Sequence, residues 1–562
     1  MNKKRIMFGA CALFLSMGMV TAQTQYDAAR LIDTDLNGTA RFVGMGGAMS
    51  ALGSDISTMG SNPAGIGLYR SNDFAGTISL NGTQVKSDFE GITRDENRTR
   101  MSFDQLGVVF SNKIGNDTQV RYVNVGINYR KQRNFSRKMA MYGDLCGMSL
   151  TDQIASMTNR DPSGYYNPLP LDDYYKIYNE LGGNYYGDAW SDVSWLSVLG
   201  IQGYLIGPIY SPMVDDKGNQ VIDKETGDPL YQYRYGGLRG YETEYRSRET
   251  GGVNSVDINL STNVNDRIYL GFTLGFHDVN YKRSSAYTEC GELVEENEQG
   301  EYIYTPTDFT LSNDFITEGT GVDAKLGVIF RPFEESAFRM GLAIHTPTLY
   351  KLTEHHWASL SSSLGNYYGE TDVAYYSYEL LTPWKFNLSL GHTFGTSIAL
   401  GAEYEYTNYS SAELRYDDGF EMEAENDWIE EDLKGVHTLR LGAELKLVPG
   451  FCIRAGYNTS SAAFHKGAYK WLYPNTTRTD AEYENTLYSE TFTVGMGLRT
   501  GQFYADAAFQ YTTQRSEFYP FDSQFSYDDA LVDYPGTADG LLPATTLDTD
   551  RAQLLLTVGY RF

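Results

Sequence analysis

The connections in this chain alternate in length, and no other feature constrains its fold as strongly. Stretches of about ten residues with period-2 alternation begin near Asp73, Phe103, Val120, Val253, Arg267, Thr310, Ala337, Ala374, Ser397, Val436, Phe451, Glu490, Gln502 and Arg551. Every second gap between them is short: 111–119, 263–266, 331–336, 394–396, 448–450 and 500–501. The intervening gaps are long and polar: 86–100, 131–252, 283–309, 351–373, 410–435, 461–489 and 512–550. Short turns at one end and long loops at the other predict an all-β fold, a transmembrane antiparallel β-barrel of about 14 strands with long extracellular loops. An even strand number also returns both ends of the barrel chain to the short-turn side. A soluble sandwich has no reason to sort its loops this way.

The alternation is clearest at the end of the chain. In Arg551 to Phe562, Ala552, Leu554, Leu556, Val558, Tyr560 and Phe562 share one face, while Gln553, Thr557, Gly559 and Arg561 share the other. Leu555 is the one misfit. Alternation alone does not say which face is outside, because a soluble sheet reads the same way with its sides exchanged. Tyr560 and the terminal Phe562 have the form of a barrel-assembly signal, which implies the outer-membrane assembly machinery as a partner. Tyr (45 residues) and Gly (57) suit interfacial girdles and close backbone approach.

Residues 1–22 read as a secretory signal peptide. Lys3, Lys4 and Arg5 precede an apolar run, and Val20-Thr21-Ala22 supplies small residues before a cut at Gln23. No later run approaches the ~20 apolar residues of a spanning helix, so a membrane location requires a barrel. The expected location is the outer membrane of a Gram-negative cell, among its lipids. The net charge of −27 argues against nucleic acid as a partner.

The organisation expected is a signal peptide at 1–22, an N-terminal hatch at 23–70 and a barrel at 71–562 that carries a large extracellular insertion at 131–252. The hatch stretch is rich in Gly and small residues but has no strand-length run. Such backbone packs closely inside something larger. Asn62-Pro63 reads as a turn just before the first strand. In the insertion, Trp190, Trp195, Leu196, Leu199 and Ile201 form an apolar patch with two readings: the insertion's own core, or a landing site for an apolar ligand.

No catalytic constellation stands out, and no enzyme activity is expected. Gly44-x-Gly46-Gly47 lacks the helix and Lys of a phosphate loop. Glu403 and Glu405 are expected to pair with lumen arginines, Arg339, Arg440, Arg454 and Arg499, although such an Arg also suits a ligand carboxylate. His355 and His356 are adjacent on a strand and point opposite ways, so they would not both reach one haem iron. No cofactor or metal site is expected. Cys146 and Cys290 fall on the predicted exterior, where a disulfide and free thiols both remain open.

Arg41-Phe42-Val43-Gly44-Met45-Gly46-Gly47-Ala48, Asp55 and Asn62-Pro63-Ala64-Gly65 resemble the N-terminal segment of the FadL/TodX family of long-chain fatty-acid and hydrocarbon transporters. Arg331-Pro332, Arg339-Met340-Gly341, Thr346-Pro347-Thr348 and Leu380-Leu381-Thr382-Pro383-Trp384-Lys385 resemble that family's mid-barrel hairpins. The resemblance implies a 14-strand barrel with a luminal hatch formed around Gly44, Gly46, Gly47, Asn62, Pro63, Ala64 and Gly65. It also implies passive transport of hydrophobic small molecules, captured at outer loops and released sideways past the hatch. The same superfamily includes secretion-system and surface-attachment barrels, which is the alternative reading, and members labelled haem receptors. The insertion at 131–252 departs from the family pattern.

Overall fold

A computed structural model describes residues 23–179, 193–214, 220–222, 229–296, 302–523 and 541–562. The predicted signal peptide and Trp190 lie outside these residues.

Fourteen strands pair in a closed antiparallel ring. In chain order they are β1 (Asp73–Phe89), β2 (Ile92–Lys113), β3 (Val120–Asn134), β4 (Arg239–Val264), β5 (Ile268–Glu296), β6 (Tyr302–Phe330) and β7 (Arg339–His345). They continue with β8 (Lys385–Phe394), β9 (Ile398–Asn408), β10 (Gly435–Val448), β11 (Phe451–Ser461), β12 (Tyr483–Thr500), β13 (Phe503–Tyr519) and β14 (Thr545–Arg561). Each pairs with its chain neighbours, and β14 closes on β1 from Asp73↔Arg561 to Asp88↔Thr546. Closure removes every sheet edge, as a bilayer requires.

The ring also settles which face is outside. On β12, Phe492, Val494, Met496 and Leu498 are 53–58% exposed, whereas Thr491 and Thr493, on either side of Phe492, are buried. Leu270, Phe272, Leu274 and Phe276 on β5, and Leu554, Leu556 and Val558 on β14, also face out. A closed barrel with an apolar outside and a polar inside is the inverse of a soluble one. Leu555, the misfit of the alternation, points inward and packs on Ala40, Val43 and Ala508.

Several strands run well past the bilayer. β5 and β6 are 29 residues each, against the ~9–11 that span a membrane. Most of the stretches 86–100 and 283–309, expected as loops, are therefore strand. The expected strand at Ala374 is corrected in part. Ala374–Leu381 is an outer strand on Leu349–Ser362, and the wall strand itself is β8, from Lys385.

Above the long-loop end sits a cap with its own core. Helices Leu150–Thr158, Leu171–Asn179 and Trp195–Gln202 bury Ile154, Ile177, Leu196 and Leu199 against the inward faces of the long strands, including Phe89, Tyr287 and Phe309. Strand Arg137–Gly147 joins this core through Met139 and Met141. The insertion thus covers the mouth of the barrel.

Candidate functional site

Residues 23–68 occupy the lumen. Helix α1 (Gln25–Ile32) lies high, beneath the cap. Tyr26 stacks on Phe464 at 4.9 Å, and the Gln25 side-chain amide donates to Asp432. Asp33 and Asp35 then hold Arg133, and Asp35 also meets Arg551 on β14. Helix α2 (Ala40–Gly44) crosses the lower lumen. Its N-cap Thr39 accepts from the Phe42 N–H and donates to Asp55, which in turn caps a 3₁₀ turn at Ile56–Gly60.

The Gly-rich stretch fits because the wall opposite it is also glycine. A Cβ on Gly271 would stand 2.2 Å from the Pro63 carbonyl carbon, and one on Gly401 2.0 Å from the Ala48 oxygen. Gly327 faces Asn62, Gly442 faces Met45 and Gly456 faces Gly46 in the same manner. Gly46 and Gly47 have φ of +63° and +82°, the left-handed conformation that permits the tight turn here. Asn62 does not make the expected turn into the first strand. Its side chain caps a 3₁₀ helix, Pro63–Leu68, with Pro63 in the first position, and β1 starts only at Asp73. The Ser261 hydroxyl donates to the Pro63 carbonyl, and Asn124 donates to that of Ile66, tying this helix to β4 and β3.

Two cavities flank the segment. The upper one, about 350 Å³, lies between α1 and the wall. Ile32, Phe42, Phe135, Tyr350 and Tyr409 give it an apolar side, and Arg130, His345, Lys385 and Glu405 a charged one. The Arg130 guanidinium makes no ion pair among the described residues, and its Nε is buried without a partner. The lower cavity, about 430 Å³, is lined by Arg41, Leu52, Asp55, Glu444 and Arg454. The intervening helix α2 presents Phe42 to the upper cavity and Arg41 to the lower.

The lumen arginines divide. Arg440 binds Glu403 and Glu405, and Arg454 binds Glu444 and Asp506, so both serve ion-pair networks. Arg339 instead donates to the Leu52 carbonyl at 2.7 Å, fixing the luminal segment. Arg499 lines the open, short-turn end of the lower cavity, where it is exposed and donates to the Gly501 carbonyl. Trp195, Leu196, Leu199 and Ile201 are buried in the cap core. Tyr560 stacks on Phe562 and meets Phe503 at a tilt, at the short-turn rim.

His356 is buried between Glu354 and Thr477, while His355 meets Tyr375. Among the described residues no group of three or more His, Cys, Asp and Glu is placed to hold a metal. Cys146 and Cys290 are free thiols.

The wall has one further feature at the level of the upper cavity. β7 pairs with β8 up to His345↔Lys385, and the ladder resumes at Leu349↔Leu381 between the outer strands. Thr346-Pro347-Thr348 faces Thr382-Pro383-Trp384 outside the ladder. The two prolines lack N–H donors. What joins the edges is a Thr382 N–H donated to the Thr348 carbonyl and a Thr348 N–H donated to the Thr382 hydroxyl. Thr346, Thr348, Thr382 and Pro383 line the upper cavity, and Trp384 is exposed on the outer surface beside Phe386.

The chain is a membrane-spanning β-barrel of the outer-membrane type. Among solved structures it is similar to a FadL homologue of Pseudomonas aeruginosa, with 13% identity, 94% of this chain and 99% of that one covered, and a TM-score of 0.47. It is similar to the toluene transporter TodX of P. putida at 11% identity, 94% and 99% coverage and a TM-score of 0.44. The toluene transporter TbuX of Ralstonia pickettii gives 12%, 94%, 99% and 0.43. No protein-family model matches the chain, and no curated protein matches its sequence. At these identities substrate and route do not transfer, and the barrel's own residues must carry them.

The cap carries a pH-sensitive contact. Glu289, on the outer part of β5, accepts from the Leu150 N–H and from the Ser149 and Tyr287 hydroxyls. Burial outweighs these donors and pushes its carboxyl up to about 7. A carboxyl raised on folding contributes stability that is complete below its unfolded value and lost as pH rises through 7. The cap is therefore expected to loosen between about pH 4.5 and 7 by up to roughly 3 kcal/mol. Melts followed by tryptophan fluorescence should show this slope in the native chain and not in Glu289→Gln.

Proposed function

We propose that this barrel passively transports hydrophobic small molecules across the outer membrane, fatty-acid-like compounds among them, taking them in at the extracellular side and releasing them past a hatch formed by residues 23–70. The observation that carries this reading is the upper cavity, which reaches the break in the β7–β8 ladder where one main-chain hydrogen bond and one to the Thr382 hydroxyl join the edges. Its apolar side suits a hydrocarbon body, and the unpaired Arg130 suits an anionic head. A ligand leaving between Thr348 and Thr382 meets lipid without crossing the charged lower lumen. Within the hatch, Gly44, Gly46, Gly47, Asn62, Pro63, Ala64 and Gly65 hold the backbone against the wall.

Thr348→Cys/Thr382→Cys, in a background lacking Cys146, Cys290 and Cys452, tests the route. Oxidation is expected to abolish labelled fatty-acid uptake into cells that depend on this barrel, and reductant to restore it. Undiminished uptake with the pair cross-linked would remove this exit. Uptake equal in cells with and without the barrel would remove the transport reading altogether.

A further inference from the structure

The chain carries a net charge of −27, yet a patch of its outer surface gathers cations without acids. Above Gln105↔Arg130, β2 parts from β3 and keeps only its pairing with β1. Its upper half lies against strand Arg137–Gly147, with Arg94 over the Tyr142 ring, and the Arg98 guanidinium donates to the Glu249 carbonyl on β4 at 2.6 Å. Arg98 and Arg100 thereby come beside Arg248, which stands opposite Lys138 in the register of β4 with strand Arg137–Gly147. Arg100, Lys138 and Arg248 are exposed. None of the four makes an ion pair among the described residues. Partial burial, and then Arg248 and Arg100, hold the Arg98 guanidinium below its usual value. Neighbouring cations are matched: Arg246 by Glu244, with Glu96 close by, and Arg137 by Glu249 and Glu484. Elsewhere, Lys282, Lys351, Arg415 and Arg515 each stand beside an acid. Like charges left together repel, and an anion relieves them.

The level of the cluster says which anion. Directly below it the outer face turns apolar. Leu80, Met101 and Phe103 are exposed there, and Phe103 stacks on Tyr129 at 5.7 Å. An apolar band topped by aromatic rings marks the lipid interface, and the residue after Arg100 already belongs to it. An anion held here stands at headgroup height.

We propose that Arg98, Arg100, Lys138 and Arg248 bind the phosphate of a phosphorylated lipid of the outer leaflet, whose acyl chains lie along Leu80 and Met101. Each guanidinium can offer a phosphate two parallel N–H donors, and basic residues at this level attract anionic headgroups. The site faces lipid rather than the lumen, so it does not depend on transport.

The test is native mass spectrometry of delipidated barrel in detergent, titrated with phosphorylated lipid A, with dephosphorylated lipid A and with inorganic phosphate. One phosphorylated lipid A per barrel is expected to bind about a hundredfold more tightly than the dephosphorylated form. Of the four side chains only Arg98 hydrogen-bonds within the chain among the described residues, so Arg100→Gln/Lys138→Gln/Arg248→Gln leaves the fold in place. That variant should lose the preference, and Lys282→Gln/Lys351→Gln/Arg515→Gln, with the same change in charge, should keep it. Equal binding of the two lipids, or a preference that survives in the first variant, would overturn the proposal. Loss of the preference in both variants would overturn it too, by making net charge the cause. Displacement of the lipid by millimolar inorganic phosphate would give the cluster to a free anion and remove the lipid.

Discussion

Arg478→Met is expected to release helix α1 from the underside of the cap. The guanidinium touches Asp27 at 3.0 Å, Glu354 at 3.1 Å and Asp480 at 2.6 Å, and all four groups are buried. Removing the cation leaves Glu354 with no Arg or Lys partner away from water and takes one of two or three cations from Asp27 and Asp480, which keep Arg30, Arg283 and Lys470. Breaking a buried ion pair by deleting one partner costs about 3–5 kcal/mol. The loss should appear as amide exchange across Gln25–Ile32 at close to the rate of an open segment, with the β-ladder still protected. Adding Glu354→Gln should return much of the protection, since it is the stranded charge that destabilises, whereas Asp27 and Asp480 are still needed by Arg30, Arg283 and Lys470. Retained α1 protection in Arg478→Met alone would show that apolar packing around Tyr26 and Phe464 holds the helix.

Gly401→Leu should have the second large effect, lower in the lumen. The Ala48 carbonyl occupies the space of its Cβ, and backbone on both sides has nowhere to move. Overpacking of this kind costs about 1–3 kcal/mol, and more where backbone rather than a side chain must shift. The barrel ladder is expected to survive, because Gly401 pairs with Gly391 and Gly442 through main-chain atoms. The luminal segment should be displaced, and Phe42→Cys in that background should become reactive to a soluble maleimide. Gly82→Leu is the control. Its Cβ would meet nothing nearer than 3.9 Å, so it should leave Phe42→Cys protected.

Much of this fold was legible because a barrel's constraints repeat. Loop alternation placed the wall strands, and the glycine stretch pointed to a host that approaches its backbone closely. The glycines of the host, Gly271, Gly327, Gly401, Gly442 and Gly456, sit among the polar letters of each strand's inner face and carry no mark of their partner. Leu555 looked like a defect in the last strand because the surface it packs on, α2, is some five hundred residues away in the chain. The outer reaches of β5 and β6 read as loop because they lie beyond lipid, where the apolar-out rule no longer holds. Arg478 was invisible for a related reason. Its run, Thr476 to Glu482, has the composition of a solvated loop, and only the folded chain shows that α1 and the cap exclude water from it.

The seam between β1 and β14 has a consequence for the order of assembly. Sixteen residue pairs join the two strands in an unbroken register. The segment that precedes β1 runs upward inside that ring and ends beneath a core wider than itself. It has no path in through the covered mouth, and from below it would have to climb past wall glycines that leave no clearance. The last strand, made last, therefore has to close around a segment already folded against the first twelve or so strands. Synthesis puts the occupant of this vessel first and its final stave last, and that is the order in which such an object can be put together.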